Sequence, residues 1–79
     1  MPTVRFFAAA AEAAGTNTVV VDAATLGELR DALVEEHGEG FSRVLDRCSI
    51  LVEGHRTDDR ETPLSPTMVV DVLPPFAGG

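Results

Sequence analysis

Thr25-Leu26-Gly27-Glu28-Leu29-Arg30-Asp31-Ala32-Leu33-Val34-Glu35-Glu36-His37-Gly38 is the stretch on which the fold turns. Thr25 and Glu28 stand three apart ahead of an apolar run. That is a capping box, in which a hydroxyl and a carboxylate satisfy backbone N–H groups at a helix start. Leu26, Leu29 and Leu33 recur at helical spacing with Ala32 beside them, while Glu28, Arg30, Asp31, Glu35 and Glu36 occupy the other face. Gly38 closes the helix. A helix with one apolar stripe must bury it against something, and the flanking segments read as the strands that supply the surface.

Upstream, Thr3 to Phe7 is β-rich and reads as a first strand. Ala8 to Ala14 is nearly all Ala and stops at Gly15, a short helix with a C-terminal glycine. Thr16 to Asp22 is β-branched and reads as a second strand, antiparallel to the first across a broad hairpin. Downstream, Phe41 to Asp46 reads as a short turn of helix with Phe41, Val44 and Leu45 facing inward. Cys48 to Glu53 is a third strand, stopped by Gly54. His55 to Pro66 is polar, with two prolines, and reads as a loop with room for a short edge strand. Thr67 to Leu73 is the final strand, closed by Pro74-Pro75, which lack the N–H donors a ladder needs. This order predicts an α+β fold, a mixed sheet with one main helix packed on one face. The β-grasp, or ubiquitin-like, roll fits it at this length, with residues 1–73 as the domain and 74–79 as an extended C-terminal tail.

The chain has 79 residues, enough for one domain and a modest core. Little room remains for a deep private active site, so function is expected at an exposed end or on one face. The formal charge is −7, from 13 acidic against 6 basic residues, which disfavours nucleic acid and favours basic partners. Cys48 is the single cysteine. It rules out an internal disulfide and any metal centre built from four cysteines of one chain, and it points to the cytoplasm. No signal peptide is read at Met1-Pro2-Thr3-Val4-Arg5, and no apolar run approaches the roughly 20 residues a membrane span needs.

The ending Pro74-Pro75-Phe76-Ala77-Gly78-Gly79 is the candidate chemical site. A Gly-Gly pair arises by chance in roughly one chain in 200, so it does not decide the matter alone. Its context adds more. The proline pair stiffens the exit from the sheet, and the six residues reach up to about 20 Å when extended. Two glycines carry no side chain, so the tip fits a channel too narrow for other residues. Such a tail suits delivery of the Gly79 carboxylate into another protein's active site. A free carboxylate is a poor electrophile and must first be activated, typically as an acyl-adenylate. If sulfur then attacks, Gly79 becomes a thiocarboxylate, a good nucleophile and a transferable sulfur source. None of this requires a catalytic residue in the chain itself, and no triad or dyad is evident.

The opening Val4-Arg5-Phe6-Phe7-Ala8, the Ala-rich helix ending at Gly15, the helix start from Thr25 to Leu33 and the ending Val72-Leu73-Pro74-Pro75-Phe76-Ala77-Gly78-Gly79 together resemble the MoaD/ThiS sulfur-carrier family, most of all its molybdopterin synthase small subunits. The resemblance covers nearly the whole chain. It implies that Gly79 is adenylated by a ubiquitin-activating-type adenylyltransferase that consumes ATP, and that a sulfur-donor protein supplies sulfur for a C-terminal thiocarboxylate. It further implies that the tail enters a molybdopterin synthase large subunit and gives sulfur to cyclic pyranopterin monophosphate. The chain would not be catalytic alone and would bind no cofactor. Two departures touch partner fit and turn geometry. Val72-Leu73 stands where members often carry two aromatics, and Ser65-Pro66-Thr67 where many have an Asp-Gly-Asp turn.

Strand alternation splits the sheet into two faces. If Val4, Phe6, Val70 and Val72 pack under the helix, Phe7 and Leu73 lie on the open face near the tail, and Arg5 pairs with Asp71 across the strands. Phe7, Leu73, Pro74, Pro75, Phe76 and Ala77 are thus the expected partner-binding residues, with Gly78 and Gly79 as the chemical end. Cys48 reads as a small core residue. His37 reads as a helix-end imidazole favoured by the dipole, and His55 as a loop residue. Neither has a ligand-spaced partner, so no metal is expected. Asp58-Asp59 lacks the rest of a calcium loop. The Glu35-Glu36 and Asp58-Asp59-Arg60-Glu61 runs read as solvated surface. Other readings stay open: a sulfur carrier for thiamin or cysteine biosynthesis, a ubiquitin-like modifier joined through Gly79, or a β-grasp binding module. A plant-type ferredoxin is excluded by the single cysteine.

Overall fold

The computed structural model describes residues 1–75. They form β1 (Thr3–Phe6), α1 (Ala9–Ala14), β2 (Thr18–Val20), α2 (Leu26–His37), α3 (Glu39–Arg47), β3 (Ser49–Val52), β4 (His55–Arg56) and β5 (Val69–Leu73). The strands make one sheet in the order β2-β1-β5-β3-β4. β1 and β5 pair in parallel, from Thr3 opposite Val69 to Phe6 opposite Val72, and every other pairing is antiparallel. This is the mixed β-grasp sheet that the sequence predicts. Parallel neighbours require a crossover, and the helices between β1 and β5 supply one that covers a single face.

The register puts Val4, Phe6, Val70 and Val72 on the helix side, where none is more than 3% exposed. Leu26, Leu29 and Leu33 of α2 and Phe41 and Leu45 of α3 close over them. α3 is a full nine-residue helix rather than the single turn expected from Phe41 to Asp46. Gly38 (φ +89°) allows this, because it is the one residue between the helices and caps both the end of α2 and the start of α3. β2 is shorter than expected, three residues, and β4 is a two-residue edge strand.

The start of α2 is held from two directions. Thr25 Oγ1 accepts from the Glu28 N–H at 3.2 Å, as the capping box requires. The Glu28 carboxylate accepts from the N–H of Ala24 (3.1 Å), one residue ahead of the cap. The next free donors, the N–H groups of Leu26 and Gly27, go to the carbonyls of Thr62 and Arg60, both at 2.9 Å. The Leu64 N–H returns the contact to Ala24 O at 2.9 Å. Asp58 to Glu61 are exposed, as the sequence suggests, and the main chain of the 57–66 segment is in addition a latch on α2. Arg60 lies against Gly27, where an added Cβ would sit 3.1 Å from its carbonyl and side chain, and its guanidinium reaches Asp31 at 2.8 Å.

Thr25→Ala removes the side-chain cap and leaves the latch in place. The expected cost is about 1 kcal/mol in urea unfolding. An unchanged unfolding midpoint would mean that the Thr62 and Arg60 carbonyls alone hold the helix start.

Candidate functional site

The open face of the sheet carries an ion pair inside an apolar surround. Arg5 Nε and Nη2 donate to the two carboxylate oxygens of Asp71 at 2.6 and 2.9 Å, across adjacent parallel strands. The carboxylate pushes the guanidinium's pKa further up, so Arg5 stays charged. The guanidinium carbon also lies 5.9 Å from the centre of the Phe7 ring, a cation–π distance. Phe7 is 40% exposed, and Val20, on the same face through its pairing with Thr3, is 59% exposed. Leu73 and Leu51 are half-buried beside them, opposite Ser49 and Arg56 in the ladder. The expected two-face split and the Arg5–Asp71 pair are both present.

Phe7 extends the parallel ladder by one bond, its N–H donating to Val72 O at 3.1 Å. That places it beside Leu73, at the end of β5 where the chain leaves the sheet. The chain then turns sharply. Ala8 has φ +49° and ψ −123°, and the Ala10 N–H closes the turn on Phe7 O at 3.0 Å. This is the first central position of a type II′ turn, which normally holds glycine. A strained L-residue therefore fixes the direction of α1 directly after the exposed Phe7. Nothing but a single Ala between strand and helix marks it in the sequence.

Pro74 is half-buried and Pro75 exposed. Both line a groove with Ala9, Gly40, Arg43, Val44 and Arg47. Of the sequence-predicted site, Phe7, Leu73, Pro74 and Pro75 thus gather at one end of the domain. Phe76, Ala77, Gly78 and Gly79 lie outside the described residues. The arginine wall of the groove was not foreseen. Its signal, Arg43 and Arg47 four apart on one helical face, needed the full length of α3 to be read.

The remaining candidates are structural. Cys48 donates its S–H to Val44 O at 3.1 Å, and burial pushes its thiol pKa up despite the nearby charge of Arg30. A half-buried, protonated thiol packed against the core is a poor nucleophile. His37 is the last residue of α2, as expected. Its ring also sits edge-on to Phe6 (6.1 Å) and 5.0 Å from Phe41, with Nε2 buried and without a hydrogen-bond partner among the described residues, so it packs against the aromatic corner of the core. His55 is exposed on β4. Among the described residues no three of His, Cys, Asp or Glu could hold a metal ion, and no helix is long and apolar enough to cross a membrane.

A five-stranded mixed sheet with one helix-covered face and one open face defines a ubiquitin-like β-grasp protein. Residues 4–79 match the ThiS family, and the chain belongs to it, among ubiquitin-like sulfur carriers and modifiers of the ThiS/MoaD type. It is similar to SAMP1 from Haloferax volcanii, with 31% identity over 99% of this chain and 98% of that one and a TM-score of 0.83. It is also similar to a chain of the complex of subunits 1 and 2 of molybdopterin-converting factor from Helicobacter pylori 26695. There the identity is 35% over 99% of this chain and 97% of that one, with a TM-score of 0.76. The small archaeal modifier protein 1 from Methanosarcina acetivorans shares the fold, at a TM-score of 0.85 and 22% identity, covering 99% of this chain and 95% of that one. A comparison with curated proteins gives no significant match.

Ala8→Gly relieves the positive-φ strain at the turn. The expected gain is about 1 kcal/mol in urea unfolding, against the usual loss when glycine replaces alanine. A destabilised variant would contradict the type II′ geometry.

Proposed function

We propose that this chain is a sulfur carrier that donates sulfur to cyclic pyranopterin monophosphate in molybdopterin biosynthesis. In this reading a ubiquitin-activating-type enzyme uses ATP to adenylate the Gly79 carboxylate and releases pyrophosphate. Sulfur from a donor protein then displaces AMP and leaves a thiocarboxylate. The tail carries it into a molybdopterin synthase large subunit, where the sulfur bonds to the pterin and water cleaves the acyl–sulfur bond, which restores the carboxylate. Gly78 and Gly79 supply the thin tip. Phe7, Leu73, Pro74, Pro75, Phe76 and Ala77 supply the contact surface. ATP chemistry and a lone protonated thiol fit a cytoplasmic protein.

The observation that carries the reading is the meeting of exposed Phe7 and the Leu73–Pro75 exit at one end of the sheet. A partner that grips the tail there also covers an apolar patch, and burial of that patch supplies affinity. The choice of pathway is supported by the 35% identity to a subunit of molybdopterin-converting factor solved with its partner subunit. A carrier for thiamin or cysteine biosynthesis would use the same chemistry with another acceptor.

The 31% identity to SAMP1 favours a second reading, a modifier joined through Gly79 to amines of other proteins. All six basic residues of this chain are arginine. These residues therefore offer no lysine amine for an isopeptide bond that would lengthen a conjugate.

Intact mass after incubation with an activating enzyme, ATP and a sulfur source tests the proposal. The expected product has one oxygen replaced by sulfur at Gly79. Deleting Gly79 should abolish it while moving the melting temperature by less than about 2 °C, because a terminal residue usually adds little to stability. Lysine conjugates on other proteins would favour the modifier. An unchanged mass would contradict both and leave a binding module.

A further inference from the structure

Five of the six arginines line two adjoining clefts that share Arg47. The first is the groove beside Pro74 and Pro75, with Arg43 and Arg47 and no carboxylate side chain among the described residues of its lining. The second holds Arg30, Arg47, Arg56 and Arg60 against Asp46 and Asp58. Arg30 lies 3.4 Å from Asp46 and Arg60 2.8 Å from Asp31. Arg43, by contrast, only grazes Glu39 at 4.0 Å and is 80% exposed, while Arg47 forms no ion pair among the described residues. On a chain of net charge −7 this segregation is conspicuous. The basic side begins at the root of the tail.

We propose that the groove between α3 and Pro74-Pro75 is a docking surface for an acidic segment of the enzyme that adenylates Gly79. The inference rests on the carrier reading and extends it to the partner's chemistry. Four residues follow Pro75 and span at most about 14 Å. Any protein that encloses the last of them must bring its own surface close to Pro75, and hence to Arg43 and Arg47. Opposite charge at that contact steers encounter and fixes orientation. The occupant is a protein segment rather than a small anion. The arginines stand open to solvent, no buried polar side chain lines the site, and half of its wall is apolar (Ala9, Val44, Pro74, Pro75). An acidic residue next to an aliphatic one matches that wall. The groove's arginine wall on α3 adjoins the apolar Phe7–Leu73 patch through Pro74 and Pro75, so two contacts of different chemistry meet at the end of β5.

Pyrophosphate exchange by the adenylating enzyme, measured against carrier concentration at several salt concentrations, tests this. Arg43→Glu/Arg47→Glu should raise the apparent KM for the carrier about tenfold or more, leave kcat within about twofold, and flatten its salt dependence. Arg43→Lys/Arg47→Lys should retain most of the affinity, which separates charge from packing. Thr67→Glu, which adds a negative charge at the opposite end of β5, should behave like the wild type. Circular dichroism melts check that each variant folds. A double charge reversal with unchanged KM and salt slope would overturn the inference. So would millimolar phosphate or ATP that shifts the α3 amides of the free wild-type chain but not of the charge-reversed one, since it would assign the groove to a small anion. A wild-type chain that supports no exchange would instead bring down the carrier reading itself, and this inference with it.

Discussion

The parallel ladder between β1 and β5 is the constraint on which the rest of the molecule depends. Two strands separated by almost the whole chain run the same way, so their C-terminal ends lie at the same edge of the sheet. That single fact brings Phe7, which leaves β1, beside Leu73, which leaves β5. An antiparallel pairing would have put them at opposite ends and left the tail without a neighbouring contact surface. The same ladder forces a crossover, and the crossover buries one face while leaving the other open. The bidentate Arg5–Asp71 pair sits on the open face between the two strands, where it fixes the register in a place that hydrophobic burial cannot reach. As a solvent-exposed pair it contributes little to stability, and its main effect is alignment.

Much of this was legible from the sequence because binary pattern and turn chemistry agreed. The Val4–Phe6 and Val70–Val72 alternation fixed which face is buried. The Thr25–Glu28 pair fixed where α2 begins, and Pro74-Pro75 fixed where β5 ends. These signals are local, and local signals survive in one sequence. What escaped was tertiary. The carbonyls of Arg60 and Thr62 meet the first N–H groups of α2, but a backbone carbonyl leaves no mark in the residue type that carries it. The charged side chains of that segment are exposed, as their residue types indicate, while its main chain holds the start of α2. The aromatic packing of His37 escaped for a related reason. Its position at a helix end was visible, but its packing between Phe6 and Phe41 depends on a full α3 that the sequence reading had shortened. The strain at Ala8 was hidden because alanine there looks like the start of an Ala-rich helix.

The surface divides its chemistry between two sides of the tail. The open sheet face offers exposed apolar area around an internally neutralised ion pair. The helix side offers arginines whose charge is less fully matched. In the proposed carrier role, specificity comes from how the protein is held while its end is worked on by others. Two dissimilar contacts at the exit of the tail would let successive partners share the chemical end yet read different faces. A core made from Val, Leu, Ile, Ala and Phe leaves those faces free to vary without disturbing the scaffold.

The central claim is that β1 and β5 run parallel and so bring Phe7 to the root of the tail. The direct test is the through-hydrogen-bond scalar coupling between the Phe7 amide nitrogen and the Val72 carbonyl carbon in the labelled protein, read together with cross-strand proton contacts. A resolved Phe7–Val72 coupling, with amide-to-Hα contacts and no close Hα–Hα pairs between β1 and β5, is the predicted result. Strong Hα–Hα contacts between these two strands, the signature of antiparallel pairing, would contradict it.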